Sequence, residues 1–192
     1  IEVISMSKEI GDMESKAIFE AAQVGDFKLL KDLYSGSINQ VNKEQLNLLS
    51  VVLTNSDKID DRIKIINFLL DRGIDINYQD RDGRTALHNF FQFKANWRPN
   101  VDYAVNVIAK LIEAGININA IDKYGSVALI YSLTVLKLTT QDAYPIYELL
   151  LKHNVDYTLK NDAGKSALDY AKELSWRNDF LNILEKYKNE SK

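Results

Sequence analysis

Cysteine is absent from this chain of 192 residues, which excludes disulfide bonds, thiolate metal ligands and a cysteine nucleophile. Histidine occurs only as His88 and His153, too far apart for the His-x-x-x-His spacing of a helical zinc site. Neither a glycine-rich phosphate loop nor a nucleophile-elbow pattern is present in the sequence. We therefore expect no metal, no cofactor and no catalytic residues, and a protein that is not an enzyme.

Long basic runs and long apolar runs are also missing. The 24 Lys and Arg residues are interspersed with 27 Asp and Glu residues, giving a net charge of −3, whereas nucleic-acid binders usually cluster their cations on one face. The most apolar stretches, such as residues 146–151, which include Glu148, are far too short to cross a bilayer. Residues 1–5 do not have the form of a signal peptide. We expect no nucleic-acid partner, no membrane partner and a cytoplasmic location.

Two phrases recur along the chain, and internal repetition of this kind is typical of a stacked-repeat architecture. One phrase predicts a turn that needs a left-handed glycine, followed by a helix start. The other predicts a helix end, a left-handed stop and a short extended segment. The turn phrase occupies 80–88, 122–130 and 161–169, and the helix-end phrase occupies 69–77, 111–119 and 150–158.

Single residues within the phrases support both predictions. Thr85 and Ser166 stand where an N-cap side chain belongs. Gly73 and Gly115 stand at the left-handed stop. Asn154 replaces glycine there in the third copy, and asparagine is the residue that best tolerates that conformation after glycine.

Two weaker copies lie upstream, at 17–30 and 46–70, and the second of them lacks the Asp-x-x-Gly turn. The repeats resemble those of the ankyrin-repeat family, most closely at Thr85-Ala-Leu-His88 and Arg72-Gly-Ile-Asp-Ile-Asn77. The resemblance gives His88 a structural role, bonding backbone in the neighbouring turn. It implies an all-α fold, an ankyrin-repeat solenoid of about five helix pairs joined by extended turns, in which the last pair caps the array.

The expected ankyrin-repeat domain covers residues 16–187, after an N-terminal extension or cloning scar (1–15) and before a tail (188–192); whether Ile1 is native stays open. Its copies are longer than the family repeat of about 33 residues, and the extra residues lie between paired helices, at 92–103 and 134–145. The family proline of the turn phrase is alanine in all three strong copies. Phe90, Phe91 and Phe93 form a cluster that we expect in the core, although the family prefers small residues near the Phe90 and Phe91 positions.

The resemblance implies a contact surface made of the turn tips and the shallow concave face of the first helices. In the first insertion, Trp97 beside Arg98 suggests a further partner anchor, because tryptophan is enriched at interfaces. The alternative is that Trp97 folds back over its own helix pair, and for Trp176 the structural interpretation is preferred. The predicted partner-binding residues are Tyr78, Arg81, Asp82, Arg84, Trp97, Arg98, Lys123, Tyr124, Ser126 and Lys165.

The function implied by the resemblance is binding of a protein partner by a chain that is monomeric when unbound. By analogy with small stand-alone ankyrin proteins, we expect an inhibitor or immunity-type role against a toxin or an enzyme. A composition rich in Ile, Lys and Asn favours a bacterial or viral source. Two alternatives stay open: an effector directed at a host protein, and a regulatory or catalytic domain with an unrecognised polar cleft. A ligand held near Arg84, Tyr124 and Asp122 would indicate the catalytic alternative.

Overall fold

The computed structural model describes residues 2–191, so Ile1, whose origin was left open, and Lys192 lie outside the described residues. Within that range the chain forms ten α-helices and two single-turn 3-10 helices, with isolated β-bridges in place of strands. The α-helices are α1 (Glu2–Val24), α2 (Phe27–Leu33), α3 (Leu48–Val52), α4 (Ile59–Asp71), α5 (Ala86–Gln92), α6 (Val101–Glu113), α7 (Ala128–Thr134), α8 (Tyr144–Lys152), α9 (Ala167–Glu173) and α10 (Asp179–Glu190).

Consecutive helices form five pairs, from repeat 1 (α1 and α2) to repeat 5 (α9 and α10). The first helices pack in sequence order, α1 against α3, α3 against α5, α5 against α7 and α7 against α9. One apolar core runs along the stack and includes the fully buried side chains of Phe90 and Phe91, whereas Phe93 is half-buried. The predicted all-α solenoid of about five helix pairs is confirmed.

The helix ends follow the residues that were expected to set them. Helix α9 begins after Ser166, whose Oγ accepts the main-chain N–H of Asp169 at 3.2 Å. Gly73 and Gly115 stop helices α4 and α6 with φ of +71° and +90°, and Asn154 stops α8 with φ of +60°. The left-handed stop therefore occurs in all three strong copies.

Four turns, here called tips, precede repeats 2 to 5: tip 2 (42–46), tip 3 (80–84), tip 4 (122–126) and tip 5 (161–165). In each tip, a side-chain oxygen of the first residue accepts two main-chain N–H groups of the same turn. Tip 2 uses Asn42 for this purpose, and Gln45 adopts φ of +62° where the other tips have glycine. Repeat 2 therefore has the turn that its sequence pattern lacks, with asparagine and glutamine in place of aspartate and glycine.

The tips are bonded to one another by hydrogen bonds that main-chain carbonyls accept from main-chain or side-chain donors. The N–H of Lys123 donates to the carbonyl of Asp82 at 2.8 Å, and the N–H of Asp162 donates to the carbonyl of Tyr124 at 2.9 Å. The hydroxyl of Tyr78 donates to the carbonyl of Gln45 at 2.7 Å. Tips 2 to 5 consequently form one continuous and rigid edge of the solenoid.

Substituting two tip glycines separates the cost of the left-handed backbone from the cost of tip packing. A Cβ at Gly83 would lie 3.0 Å from the main-chain N of Lys123 in tip 4, whereas a Cβ at Gly164 in tip 5 would meet nothing within 4 Å. Both glycines have the same left-handed φ, +71° and +74°. We expect each Gly→Ala change to lose about 1–2 kcal/mol, and Gly83→Ala to lose about 1 kcal/mol more. Chemical denaturation measures this difference, and equal losses would contradict the tip contact.

The loops between paired helices also stack, forming what we call the insertion ridge (54–58, 93–100, 135–143 and 174–178). Ser56 Oγ donates to the carbonyl of Ala95 at 3.3 Å, and the N–H of Lys137 donates to the carbonyl of Trp97 at 2.7 Å. Thr140 Oγ1 then donates to the carbonyl of Trp176 at 3.0 Å. The extra residues that lengthen these repeats therefore connect each repeat to the next.

Buried side-chain donors fix the insertion ridge to the helix ends beneath it. The guanidinium of Arg177 is fully buried and donates to three main-chain carbonyls at the end of α7 and just beyond it, at 2.7, 2.9 and 2.7 Å. Arg62 is equally buried and donates to the carbonyls of Val52 and Gln23 at 2.8 Å each. Asn96 Nδ2 donates to two carbonyls of repeats 2 and 3, at 2.6 and 2.9 Å. These polar groups satisfy carbonyls that the short helices leave without intrahelical partners.

The two ends of the array are helical beyond the expected domain limits. Helix α1 begins at Glu2, so the segment named as an extension or scar continues without a break into the first repeat. Residues 2–14 of this helix are exposed on every side. Helix α10 runs to Glu190, and its buried Phe180 and Leu184 cover the end of the core.

Candidate binding surface

Arg84 in tip 3 lies at the centre of a polar cluster that joins tips 3 and 4. Its Nη1 is 3.2 Å from Asp82 Oδ2, and its Nε faces Asp122 Oδ2 at 3.7 Å. Lys123 Nζ approaches the other oxygen of Asp82 at 2.6 Å, and this hydrogen bond is the main reason that the pKa of Asp82 is lowered. Only 20% of the Arg84 side chain is exposed, and its guanidinium faces the carboxylates of Asp82 and Asp122 within the protein.

Asp122, the first residue of tip 4, is turned inward and is 4% exposed. Its Oδ1 accepts the N–H groups of Tyr124 and Ser126 at 2.9 and 3.0 Å, and its Oδ2 accepts the hydroxyl of Tyr131. Burial, followed by the hydrogen bond to Asp122, raises the pKa of Tyr131. The carboxylate therefore closes its own turn and fixes Tyr131.

Ser126 lies inside the array, with 3% of its surface exposed. Its carbonyl oxygen is 2.8 Å from His88 Nε2, and its Oγ accepts Nδ2–H of Asn161 in tip 5 at 3.2 Å. This expected partner-binding residue is therefore enclosed between neighbouring repeats, where a partner cannot reach it. Its side chain instead links tips 4 and 5.

His88 has the structural role that the resemblance implied. Its Nδ1 accepts the N–H of Thr85 at 3.2 Å at the start of α5, while Nε2 lies against the carbonyl of Ser126 in the next repeat. With Nδ1 accepting, Nε2 is the nitrogen that carries the proton and donates to that carbonyl. Burial lowers the pKa of this ring below its ordinary value of 6.5.

The lowered pKa of His88 predicts a pH dependence of stability. As pH falls below 6.5, the unfolded chain takes up a proton at this residue before the folded chain does, so the free energy of unfolding decreases until the folded pKa is passed. Above 6.5 this contribution is constant. We expect His88→Gln to remove that slope in denaturation series, whereas His153→Gln, an exposed residue at the end of α8, should retain it. A slope that survives His88→Gln would contradict the assignment.

The same dipeptide, Trp-Arg, occurs in two loops of the insertion ridge in different registers. In the first loop the 3-10 turn ends at Asn96, the buried donor described above. Trp97 directly follows this turn, and Arg98 is exposed. Trp97 is half-buried, and its Nε1 donates to the carbonyl at the end of α5 at 3.2 Å, the fold-back arrangement. In the last loop the 3-10 turn ends at Arg177, so Trp176 is 61% exposed. The structural interpretation of the Trp176 side chain is therefore wrong.

Some of the remaining expected site residues are bonded within the protein, and others are exposed to solvent. Tyr78 is half-buried and bonded to tip 2, and Lys165 Nζ is 2.7 Å from Glu173 Oε2 within repeat 5. Arg81 is exposed and donates to the carbonyl of Lys43 at 3.1 Å. Lys123 and Tyr124 stand at the crest of tip 4.

Tips 4 and 5 also present two apolar side chains that the sequence interpretation missed. Ile121 is 49% exposed and Leu159 is 38% exposed, and Tyr124 in tip 4 is 49% exposed. Ile121 directly precedes tip 4, at the position that Gln79 holds before tip 3, and this polar-to-apolar change is the signal that would have revealed it. Ile121 and Tyr124 lie beside and in tip 4, and Leu159 lies two residues before tip 5, which is bonded to tip 4 through the Asp162 N–H and the Tyr124 carbonyl. We call these three exposed side chains at the tips of repeats 4 and 5 the tip patch.

Two further concave regions lie elsewhere on the surface. A groove of about 670 Å³ lies between α1 and tip 2 and is lined by mixed side chains such as Met13, Phe19, Lys43 and Val51. A shallower hollow surrounds residues 56–61. Within residues 2–191, no group of three or more His, Asp or Glu side chains is arranged to hold a metal ion. The same range contains no helix whose length and hydropathy together would allow it to span a bilayer.

Comparison with known proteins agrees with this architecture. The family model described as ankyrin repeats (many copies) matches residues 58–96, which contain α4, tip 3 and α5. No curated protein matches the chain. The match spans the second helix of repeat 2, tip 3 and the first helix of repeat 3, and further tips and helix pairs lie on both sides of it. The left-handed stop at Gly73 recurs downstream at Gly115 and Asn154. The match identifies ankyrin repeats at residues 58–96, and the stacked helix pairs of the described chain are consistent with an ankyrin-repeat solenoid.

Proposed function

We propose that this protein binds one specific protein partner through the tip patch. Ankyrin repeats are protein–protein interaction modules. The observation that carries the proposal is the placement of exposed apolar side chains. Beyond α1 and α2, the large apolar residues that are exposed in the described chain are Ile121, Tyr124, Leu159 and Trp176. Three of these four lie in the tip patch.

The tip patch combines the properties of an interface anchor. Tyr124 is a residue type enriched among those that dominate binding energies, and Lys123 Nζ lies 5.0 Å from the centre of its ring. Lys123 thereby adds a cation at the rim of an apolar contact, a common arrangement in protein interfaces.

Rigidity of the tips supports the same proposal. The hydrogen bond from Asp162 N–H to the Tyr124 carbonyl joins tips 4 and 5 directly. Because the backbone beneath the patch is already fixed, little conformational entropy would be lost when a partner binds. Arg81 and the partly exposed Asp82 extend the surface toward tip 3 and supply polar contacts at its edge.

The finer form of the proposal is an inhibitor or immunity-type role, in which the bound protein loses its activity. The rival catalytic role draws no support from the Arg84, Tyr124 and Asp122 region, since the carboxylates there are bonded to turn amides, Tyr131, Lys123 and Arg84. Mixed charge on the tips and a net charge of −3 support a protein partner over nucleic acid.

Affinity capture tests the proposal. The purified chain serves as bait in lysate of its native source, and captured proteins are identified by mass spectrometry. We expect one stoichiometric protein with the wild type and its loss with Ile121→Ser/Tyr124→Ala. Trp176→Ala is the matched control, because it removes an exposed aromatic side chain from the insertion ridge. Capture by the tip variant and loss with the control would place the partner on the ridge and refute the proposal.

A further inference from the structure

Helix α1 carries a segment that the rest of the fold does not support. Residues 2–14 are exposed, and the helix enters the core at Ile18 and Phe19. These residues extend a helix that is docked only through its later turns, so they gain little of the tertiary packing that supplies most helical stability in proteins. Gly11 lowers the helix propensity of the segment further. A stable helix here therefore needs a surface to pack against.

One face of this segment is a regular apolar stripe. Val3, Met6, Ile10, Met13 and Ala17 follow each other at alternating spacings of three and four residues, which are the a and d positions of successive heptads. Ile10 is 54% exposed and Met13 is 71% exposed, although the side chains of a and d positions are normally covered by a second helix.

We propose that the stripe pairs with the same stripe of a second copy of this chain, in an antiparallel two-helix coiled coil. The register is the one in which Ile10 lies opposite Met13 of the second copy, and Met6 lies opposite Ala17 of that copy. The inference is independent of the tip patch, which lies elsewhere on the array, and it replaces the monomer expected from the sequence.

The flanking charges select this orientation and register. Two antiparallel helices bring g positions opposite g positions, so Glu9 of each copy faces Lys16 of the other, giving two opposite-charge pairs. A parallel pair would place Glu9 against Glu14 of the second copy twice, which is repulsive. Shifting the antiparallel register by one heptad would instead place Glu9 against Glu9 of the second copy.

The surface that this pairing requires is accessible along the helix. Lys16 is 78% exposed on its side chain and lies 3.8 Å from Glu20, a contact that leaves the ammonium group open to a second partner. Glu20 and Val24, which hold the next d and a positions of the helix, are also exposed. The second helix can therefore lie along α1 without displacing the repeats.

Charge argues against an anionic lipid surface as the alternative occupant. Residues 2–16 contain four acidic and two basic side chains, whereas helices that lie on anionic membranes carry an excess of Lys and Arg. The g-position pairs are complementary within this one sequence, which favours a second copy over an unrelated helix.

Sedimentation equilibrium of the full chain across a wide concentration range tests the self-association. We expect a reversible dimer of twice 21.9 kDa. Ile10→Glu should raise its dissociation constant at least about 100-fold, because the glutamate would be buried in the seam. Glu9→Lys and Lys16→Glu should each weaken the dimer about tenfold, and the double exchange should restore it. Lys8→Glu, the same charge change at an outward f position, is the control.

The absence of cysteine allows orientation to be tested by cross-linking. Ile10→Cys and Met13→Cys chains are oxidised separately and as a mixture. We expect a disulfide-linked dimer in the mixture and little in either separate sample. Efficient linking of each variant to itself would indicate a parallel pair and overturn the proposal. It is also overturned by a wild-type chain that stays monomeric, or by a dimer unaffected by Ile10→Glu.

Discussion

Arg177→Ala is expected to destabilise the protein by about 3–5 kcal/mol, the largest loss that we predict for a single residue of the insertion ridge. The guanidinium is fully buried and donates to the carbonyls of Leu133, Leu136 and Leu138. Alanine would leave these three acceptors inside the protein without their donor. An unsatisfied buried carbonyl costs about 1–3 kcal/mol, so the losses add to a large fraction of the stability of an ordinary domain.

The loss should be concentrated at one end of the array. Repeat proteins are held together mainly by contacts between neighbouring repeats, and Arg177 joins repeat 5 to repeat 4. Hydrogen exchange should therefore show α9 and α10 opening before the rest of the chain. Arg98→Ala is the matched control, since that arginine follows the other ridge tryptophan but is exposed. We expect its effect to stay within about 0.5 kcal/mol. Equal effects of the two substitutions would show that the buried guanidinium is unimportant.

Tyr124→Ala is expected to weaken binding of the captured partner by about 30-fold to 1,000-fold, the range of an interface hot spot. The side chain is half exposed at the crest of tip 4, so its removal should change the free energy of unfolding little. The hydrogen bond from Asp162 is made to the Tyr124 carbonyl and survives the substitution.

Calorimetric titration of the partner measures this loss of affinity. Trp176→Ala provides the comparison, because it removes a larger exposed aromatic ring from a different surface. A tenfold or greater loss with Trp176→Ala, together with an unchanged affinity for Tyr124→Ala, would move the interface from the tips to the insertion ridge.

The fold could be predicted because its signals are local and repeated. The glycines of tips 3 to 5 and the stops at Gly73, Gly115 and Asn154 each specify a left-handed backbone position, and the structure has one at every site. Tip 2 was missed because Gln45 holds the position at which the other tips have glycine, although its first residue, Asn42, matches Asn161 of tip 5. Asparagine can supply the side-chain acceptor of aspartate, and the tertiary structure holds Gln45 at positive φ.

The candidate surface was harder to predict, since exposure depends on neighbouring repeats. Ser126 and Lys123 both belong to tip 4, yet one is enclosed between repeats and the other is exposed. The two Trp-Arg dipeptides show the same difficulty. The 3-10 turn ends one residue before Trp97 but one residue after Trp176, and this two-residue shift decides whether tryptophan or arginine is exposed. The shift follows from whether asparagine or arginine fills the polar site beneath.

Hydrogen exchange of the chain with and without its captured partner tests the central claim most directly. The predicted result is slower exchange of amides in tips 4 and 5 and around Ile121 and Leu159, with no change in residues 174–178 of the insertion ridge. Slower exchange confined to the ridge or to α1, with the tips unaffected, would contradict the claim that this protein holds its partner through the tip patch.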